Sequence, residues 1–397
     1  MKPMPAVPMP LTLGDLRRAS RSRDARRRLE EQIARYHGAQ AALGVSSGRA
    51  ALALVLRALR PLKPERETVL LPAYTCPTVG RSVVEAGLQG TCVDVSPASF
   101  NIDPIEVADA IDERTLAVVA PHMFGLPCDL EALTGICRDA GVYLIEDCAQ
   151  CVGGTWAGQR VGTFGDVAFL SMGRSKNLRG YEGGLIWTKR EDLVDALQAE
   201  FERLPDGVSG VADRLTQAAI TVLSRPRPWA MARRLPGLGV GVEDASFDPH
   251  PSKLADWQAG LGLISLERVD EYNERRRAVG AMMREALGDI AGLSCQAVPT
   301  EAEPTFLRFA ARLESADVDC RDTLVERLQA AKIDARAFYS RTLPEWEWWQ
   351  GPSSAGEGAR ELVKDNIVLP VPWEIDEAGL DRIRMLIATS RDCSAGE

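Results

Sequence analysis

The segment from Val142 to Gly184 contains two short apolar runs, VYLIE and VAFLS, and each run ends at side chains that can do chemistry. Apolar runs of this length predict buried strands. Asp147 closes the first run, Ser171 closes the second, and Lys176 follows in a polar loop. Ligands of open parallel α/β sheets bind outside the carboxyl ends of the strands, so we expect these three residues to share one crevice. A carboxylate, a hydroxyl and a lysine there would suit a phosphorylated, nitrogen-containing aldehyde.

The chain around this segment alternates between strand and helix patterns. From Thr68 onward, short apolar runs such as TVLLPAY, GTCVDV and TLAVVAP alternate with helical segments, at the spacing of parallel α/β units. A length of 397 residues exceeds the roughly 250 to 300 residues of a single core, so we expect two domains. The prediction is an N-terminal arm and helix over 1–39 and a large α/β domain with a mostly parallel central sheet over 40–245. A smaller α+β domain over 246–397 would begin with a long linking helix from Lys253.

Composition excludes several classes of protein. A formal net charge of -9 argues against a general nucleic-acid binder. The 9 cysteines are an odd number scattered along the chain, which favours reduced thiols over a disulfide framework. Cys148 and Cys151 form a CxxC pair without a second pair or a nearby histidine at zinc spacing, so we predict no metal site. No apolar run reaches the ~20 residues that span a bilayer and no signal-peptide pattern begins the chain, so we expect a cytoplasmic protein.

The segment of about 205–250 interrupts the alternation and has two open interpretations. It contains the apolar helix pattern LTQAAITVL, and then Trp229 among four arginines, Arg225, Arg227, Arg233 and Arg234. One interpretation is a surface extension or oligomer interface. The other is contact with a membrane surface, where mixtures of aromatic and cationic side chains are common.

A possible anion site precedes the helix pattern RAALALVLRAL. Ser46, Ser47 and Gly48 stand where the free N–H groups of that helix would point. A helix N-terminus with small polar residues can bind an anion, although the same residues also cap helices that bind nothing.

Taken together, these motifs resemble one family. GVSSGRAAL, LPAYTCPT, CVDV, HMFG, IEDCAQ, GTFGDVAFLSMGRSKNL and GYEGG occur in the order and approximate spacing of the DegT/DnrJ/EryC1/StrS family. That family comprises pyridoxal 5'-phosphate (PLP)-dependent sugar aminotransferases of aspartate aminotransferase fold type I. The resemblance is strong over residues 40–190 and weaker to the end of the chain. It implies a homodimer that transfers an amino group from an amino-acid donor, usually glutamate, to a keto acceptor, typically a nucleotide-linked keto sugar.

The resemblance also implies roles for residues in the cofactor site. Lys176 in SKNL matches the lysine that forms a Schiff base with the PLP aldehyde and then moves the proton during transfer. Asp147 matches the carboxylate that keeps the pyridine nitrogen protonated. Gln150 matches the residue that hydrogen-bonds the 3-oxygen of the ring. His122, in HMFG, matches a residue that is structural or supports the site indirectly.

Further matches concern the phosphate group and the ring face. Ser171, with the backbone N–H groups of Gly48 and Arg49, matches the phosphate-binding cup. Cys76 stands where family members commonly have an aromatic ring over PLP, and Arg174 stands in the segment before the catalytic lysine. We predict that Arg49 or Arg174 supplies a phosphate contact.

Candidate substrate contacts are Tyr74, Glu182 and Tyr339. Family members supply an asparagine and an arginine from the neighbouring subunit, and here Pro251 and Lys253 occupy those positions. This departure leaves a non-sugar or lipid-linked carbonyl substrate as an alternative. A binding or regulatory subunit without turnover is the alternative from another class, against which the presence of Lys176 and Asp147 argues.

Overall fold

A computed structural model describes residues 3–5, 10–223, 228, 250–314, 316–352 and 356–389 of the chain. The strands in chain order are β1 Ala41–Val45, β2 Thr68–Pro72, β3 Gln89–Val93, β4 Thr115–Pro121, β5 Tyr143–Asp147, β6 Thr155–Trp156, β7 Gln159–Arg160, β8 Val167–Ser171, β9 Gly184–Thr188, β10 Leu293–Cys295, β11 Ala302–Glu303, β12 Phe309–Leu313 and β13 Asn366–Leu369. The helices are α1 Leu13–Ser20, α2 Ala25–His37, α3 Gly48–Leu59, α4 Pro77–Glu85, α5 Pro104–Ala110, α6 Leu130–Ala140, α7 Glu191–Glu202, α8 Val211–Leu223, α9 Asp256–Leu266, α10 Val269–Leu287, α11 Val318–Ala330, α12 Glu357–Asp365 and α13 Glu377–Ala388.

The large domain is built on a 7-stranded sheet in the order β1-β9-β8-β5-β4-β2-β3. The pairs β2/β3, β2/β4, β4/β5 and β5/β8 are parallel, whereas β9 runs antiparallel to both β8 and β1. The predicted mostly parallel central sheet is therefore confirmed. Because β4, β5 and β8 run in the same direction, their carboxyl ends meet at one edge of the sheet, where the residues that follow them can converge.

Helix α3 packs against this sheet and directs its N-terminus toward that edge. Its apolar residues surround the helix axis, and Ala50–Leu56 are all buried. Ser47 precedes the helix and its Oγ accepts a hydrogen bond from the N–H of Ala50 at 3.0 Å, which defines where the helix starts. The start of α3 is thus fixed from both sides, by burial of the helix and by its cap.

The smaller domain contains the antiparallel sheet β10-β12-β13. Its core is apolar and separate from the main core, with Met283 of α10, Leu324 of α11 and Ile367 of β13 among its fully buried members. The predicted α+β character of this part of the chain is confirmed. A small hairpin, β6–β7, pairs with β11 and turns at Ala157 and Gly158.

Two helices that the sequence pattern presents as continuous are interrupted. The helix predicted within residues 1–39 divides into α1 and α2, and the predicted linking helix from Lys253 divides into α9 and α10. At the second break, Arg268 donates two hydrogen bonds to the Asp15 carboxylate, at 2.8 and 3.0 Å. Helix α9 packs against α1 and α2, whereas α10 packs against the small domain. The predictions of single helices are wrong. Between α1 and α2, Asp24 has a φ of 50°, which is outside the helical region, and the two halves of the second pattern pack against different partners.

The interrupting segment begins with α8, which agrees with the apolar helix pattern there. Residues 224–227 and 229–249, with Trp229 and the four arginines, lie outside the described residues. Within the described residues, no helix combines the length and the apolar composition that crossing a membrane requires.

Candidate active site

Asp147 and Lys176 come together at the carboxyl edge of the central sheet. Asp147 is the last residue of β5 and is 8% exposed, and its Oδ1 accepts a hydrogen bond from the N–H of Ala149 at 2.9 Å. Burial raises the pKa of the Asp147 carboxyl, while the ammonium group of Lys176 and the N–H of Ala149 act in the opposite direction. The charges of the two side chains therefore interact inside one partly dehydrated site.

The first residue of α3 and the last residue of β8 are in tight contact beside this pair. A Cβ atom on Gly48 would lie 2.8 Å from Cβ of Ser171, so only glycine fits there without displacement. Ser171 Oγ accepts a hydrogen bond from the N–H of Gly173 at 3.3 Å. The backbone N–H of Lys176 donates to the Gly173 carbonyl oxygen at 3.1 Å. The first N–H groups of a helix lack acceptors within the helix and carry partial positive charge. The start of α3 and the Ser171 hydroxyl therefore form a corner that suits an anion.

Aromatic and polar side chains enclose the other side of the site. Tyr339 is 7% exposed, and its ring meets the ring of Tyr74 edge to face at 5.3 Å. Burial raises the pKa of Tyr339 well above its usual value. The nearby Cys76, Tyr74 and Asp147 raise this pKa further, whereas a hydrogen bond with Gln150 lowers it. The structure thus brings Tyr74, Cys76, Gln150 and Tyr339 together around Asp147, although Tyr339 comes from the far end of the sequence.

Gln150 and Cys76 are each held by a second contact. The Oε1 atom of Gln150 accepts a hydrogen bond from the N–H of Phe124 at 3.2 Å, which fixes the direction of the amide. Phe124 has a φ of 57°, a left-handed conformation that residues other than glycine seldom adopt. Cys76 precedes α4, and its Sγ lies 3.0 Å from Oγ1 of Thr78.

The remaining predicted residues lie at the same edge with other contacts. Arg174 is exposed, and its Nη2 donates to the Tyr181 hydroxyl at 3.0 Å. Glu182 is exposed, and Arg49 is half-buried as the second residue of α3. Lys253 forms an ion pair with Glu202 of the same chain at 2.8 Å. The phosphate contacts of Arg49 and Arg174 and the substrate contact of Glu182 stay predictions.

Glu146, which the sequence reasoning did not select, is fully buried behind Asp147. Its Oε1 accepts the N–H groups of Phe164 and Gly165 at 2.8 and 2.7 Å, and its Oε2 accepts the N–H of Gly162 at 2.6 Å. Successive residues of a strand point to opposite faces, so adjacent acids at a strand end must have different surroundings. This alternation is the signal in the sequence that could have predicted different roles for Glu146 and Asp147.

His122 links the two acids. Its Nδ1 accepts the N–H of Cys128 at 3.1 Å, so the ring proton is on Nε2, which faces Oε2 of Glu146 at 3.4 Å. The backbone N–H of His122 also donates to the carbonyl oxygen of Asp147 at 3.2 Å. Burial alone would raise the pKa of Glu146, but the nearby His122 ring and the backbone hydrogen bonds outweigh it and hold that pKa below its usual value. Glu146 therefore remains charged while it ties the chain together.

The acid, histidine and thiol behind the site do not match what a metal ion requires. Ligand atoms of His122, Glu146 and Cys148 lie within 4.8 Å of one another. However, both oxygens of Glu146 already accept backbone hydrogen bonds. Burial raises the pKa of Cys148 well above its usual value, which disfavours the thiolate that binds metals. Cys148 and Cys151 are accordingly core residues, and both are completely buried.

The residues at the sheet edge match the chemical groups of PLP. Oδ2 of Asp147 receives no hydrogen bond from any described residue, so it can accept one from a protonated pyridine nitrogen. The amine of Lys176 can bond to the aldehyde, and the corner formed by Gly48 and Ser171 suits the phosphate. A Cβ atom on Gly173 would lie 3.4 Å from Ser171 Oγ and 3.7 Å from Lys176 Cγ, so the absence of a side chain keeps this space open.

Comparisons with known proteins give the same family. The profile of the DegT/DnrJ/EryC1/StrS aminotransferase family matches residues 19–387. L-glutamine:2-deoxy-scyllo-inosose aminotransferase of Micromonospora echinospora is 32% identical over 80% of this chain and 70% of that protein. GDP-perosamine synthase of Vibrio cholerae is 27% identical over 81% of this chain and 78% of that protein. Spore coat polysaccharide biosynthesis protein SpsC of Bacillus subtilis is 29% identical over 66% of this chain, and the match spans only 62% of that protein.

The fold has close counterparts among solved structures. The crystal structure of 3-amino-5-hydroxybenzoic acid synthase superposes with a TM-score of 0.78 over 99% of this chain and 100% of that chain, at 23% identity. This likeness concerns the fold. The family match, which extends over most of the chain including the sheet edge with Asp147 and Lys176, shows that the chain belongs to the DegT/DnrJ/EryC1/StrS aminotransferase family.

Proposed function

We propose that this protein uses PLP to transfer an amino group from an amino acid to the keto group of a nucleotide-linked sugar. The observation that carries the proposal is the buried Asp147 carboxylate beside Lys176, with an anion-binding corner next to both. Family membership supports the same reaction. The names of GDP-perosamine synthase and of the inosose aminotransferase support a keto sugar or a related cyclic ketone as acceptor.

The cofactor would supply an aldehyde that takes up the amino group and a ring that withdraws electrons from the reacting carbon. Asp147 would hold a proton on the pyridine nitrogen through Oδ2. Its position at the end of β5 and the hydrogen bond from Ala149 orient the carboxylate. Burial would favour a neutral carboxyl, so the charge of Asp147 depends on nearby positive groups, among which Lys176 is one.

Lys176 would move the proton of the reaction. Its Nζ would remove the proton from Cα of the donor and return a proton to the aldehyde carbon of the cofactor, as general base and then general acid. The chain around Lys176 is restrained by the N–H bond to Gly173 and by the packing of the next residue, Asn177, which is completely buried. These restraints would keep the amine within reach of both carbon atoms.

The other residues would bind and exclude water. Ser171 and the start of α3 would bind the phosphate group, and Gln150 would hydrogen-bond the 3-oxygen of the ring. Tyr74 and Tyr339, both buried, would close the site on the side of the small domain.

The experiment is to load the purified protein with PLP and mix it with glutamate or glutamine in the absence of an acceptor. One equivalent of keto acid per active site should form, and the visible absorbance of the bound aldehyde should disappear. Adding a nucleotide-linked 4-keto sugar should restore the absorbance and give the amino sugar by mass spectrometry. If neither donor gives any keto acid, the transfer reaction is refuted and a role in binding or regulation is favoured. If the donor step occurs but keto sugars fail, the acceptor is a non-sugar or lipid-linked carbonyl.

We also propose that two copies of the chain associate. Helix α8 exposes Val211, Leu215 and Val222 to 74%, 66% and 40%, and their spacing puts them on one side of the helix. Contiguous exposed apolar side chains of this kind mark interaction surfaces. Light scattering during size-exclusion chromatography should give a dimer for the wild type and a smaller species for Leu215→Glu. A monomeric wild type at micromolar concentration would refute the proposal.

A further inference from the structure

A cavity of about 600 Å³ lies between the large and the small domain. The large domain contributes the starts of α5 and α6, with Asp103 and Asp129, and Trp156 of β6. The small domain contributes Glu301, one residue before β11. Cavities of roughly 300 to 1,000 Å³ are typical of small-molecule sites. None of the described residues that line it belongs to the candidate active site, so the cavity is a separate place for a ligand.

The charged side chains of the cavity are all acidic. Its described lining contains no lysine, arginine or histidine but four carboxylates, Asp103, Asp129, Glu131 and Glu301. Asp103 and Asp129 each accept a backbone N–H as the caps of α5 and α6. Glu131 and Glu301 are exposed, and within the described ranges no side chain pairs with their carboxylates. A concave surface with charge of one sign concentrates ions of the other sign, so this cavity favours a cation.

Trp156 adds a hydrogen-bond donor without a partner. Its side chain lines the cavity and is 5% exposed, and no described residue accepts the hydrogen of its Nε1. A buried indole N–H usually has an acceptor, and leaving it without one is unfavourable. The backbone around it is fixed, because β6 pairs with β11 and the N–H of Ala157 donates to the Glu301 carbonyl oxygen at 2.7 Å. The donor is therefore held ready for an oxygen atom of a ligand.

The rest of the lining combines apolar groups with hydroxyl groups. Ile102, Leu126 and Pro127 supply apolar surface, and Ser96 and Ser99 supply hydroxyls. This mixture matches a sugar ring, whose C–H groups can pack on apolar and aromatic side chains while its hydroxyl groups form hydrogen bonds. A carboxylate forms its strongest hydrogen bonds with a charged donor such as an ammonium group. A phosphate would be repelled by the same carboxylates.

We infer that this cavity binds an amino sugar that carries no phosphate. The ammonium group would lie among the carboxylates, and a ring or hydroxyl oxygen would accept the hydrogen of Trp156 Nε1. The choice of an amino sugar over other hydroxylated cations rests on the proposed aminotransfer, which makes nucleotide-linked amino sugars. A later transfer reaction that releases the nucleotide would give the uncharged-phosphate-free form that fits here.

The cavity is connected to the cofactor site through one short segment. Asn101 lines the cavity, and its Oδ1 accepts the N–H of Met123 at 2.9 Å, while its Nδ2 donates to the carbonyl oxygen of Leu126 at 3.2 Å. The residue between them, Phe124, donates its N–H to Oε1 of Gln150. A ligand in the cavity would therefore contact the same segment that orients Gln150.

The test titrates glucosamine into the purified protein by calorimetry, in slightly acidic buffer that keeps its amino group protonated. N-acetylglucosamine is the matched compound without the charge, and glucosamine 6-phosphate is the matched compound with a phosphate. Glucosamine should bind about 10-fold more tightly than either, because each lacks or opposes the attraction to the carboxylates.

Variants of the lining locate the binding. The double variant Glu131→Gln/Glu301→Gln removes two charges without touching the helix caps, and glucosamine affinity should fall about 3- to 10-fold. The matched control is Glu113→Gln/Glu285→Gln, which removes two exposed charges away from the cavity and should bind as the wild type does. Trp156→Phe keeps an aromatic ring without the N–H, and its affinity should also fall about 3- to 10-fold.

Three results would overturn the inference. They are equal binding of glucosamine and N-acetylglucosamine, wild-type affinity in Glu131→Gln/Glu301→Gln, and equally tight binding of cadaverine, a linear diamine without a sugar ring. Unfolding of Trp156→Phe would leave the test intact, since the exposed glutamates and the matched compounds decide it. Binding needs no turnover, so Lys176→Ala should bind glucosamine as the wild type does. A wild type that binds glucosamine in this cavity but transfers no amino group would refute only the proposed reaction.

Discussion

Replacing Gly48 with alanine should destabilise the protein and weaken PLP binding, because the added methyl group has no room. The new Cβ would lie 2.8 Å from Cβ and 3.4 Å from Cα of Ser171. Both atoms belong to the end of β8, which is paired with β5 and β9 and cannot move away easily. The start of α3 must shift instead, and overpacking of this kind costs about 1 to 3 kcal/mol in the free energy of unfolding.

The same shift would widen the corner between α3 and Ser171. Hydrogen bonds to a bound phosphate would lengthen, and weakening them by ~1.4 kcal/mol raises the dissociation constant of PLP about tenfold. Gly135→Ala is the matched control. Gly135 lies on α6, and no neighbouring atom lies within 4 Å of the place that an alanine methyl group would take, so alanine there should stabilise the helix by about 0.5 to 1 kcal/mol.

Thermal unfolding without PLP and absorbance titration with PLP measure the two effects separately. We expect Gly48→Ala to melt below the wild type and Gly135→Ala to melt at or above it, with PLP affinity reduced only in the first. Wild-type stability and PLP affinity in Gly48→Ala would refute the steric argument. Reduced stability with unchanged PLP affinity would show that the phosphate lies elsewhere.

Three other substitutions address the acids and the lysine. Asp147→Asn should lower the rate of the donor step about 100-fold or more. Because burial raises the pKa of the Asp147 carboxyl, its charged form opposes folding at neutral pH. The melting temperature of the PLP-free variant should therefore be no lower than that of the wild type. Glu146→Gln should cost about 3 kcal/mol in unfolding experiments, since an amide cannot accept all of the N–H groups at that position. The pKa of Glu146 is lower in the folded protein than its ordinary value of 4.5, so its contribution is complete above pH 4.5 and is lost as the pH falls further; melting curves should show a steeper acid decline for the wild type than for Glu146→Gln. Lys176→Ala should retain no PLP after borohydride treatment and dialysis, whereas the wild type should retain one equivalent by mass spectrometry.

The sequence predicted the parts of the fold and site that depend on local pattern. Short apolar runs identified the strands that end at Asp147 and Ser171, and a buried helix pattern identified α3. These signals are local because burial on both faces of a parallel strand requires a continuous apolar run. The cytoplasmic location, the domain boundaries and the roles of individual site residues stay predictions.

What the sequence did not predict depends on contacts between distant residues. At the break between α9 and α10, Arg268 pairs with Asp15, and the two helices pack against different parts of the protein. The position of Tyr339 against Tyr74 depends on how the small domain packs on the large one.

The way Glu146 holds its loop has a practical consequence for labelling the protein. Its three hydrogen bonds attach residues 162–165 to β5 just before β8 begins. An insertion in the hairpin that precedes residue 162 should therefore not displace Ser171 or Lys176. Ala157 and Gly158 form the exposed turn of the outer hairpin, with φ values of 47° and 78°. A short peptide tag or a fluorescent dye introduced at this turn would report on the molecule from outside while leaving its chemistry intact.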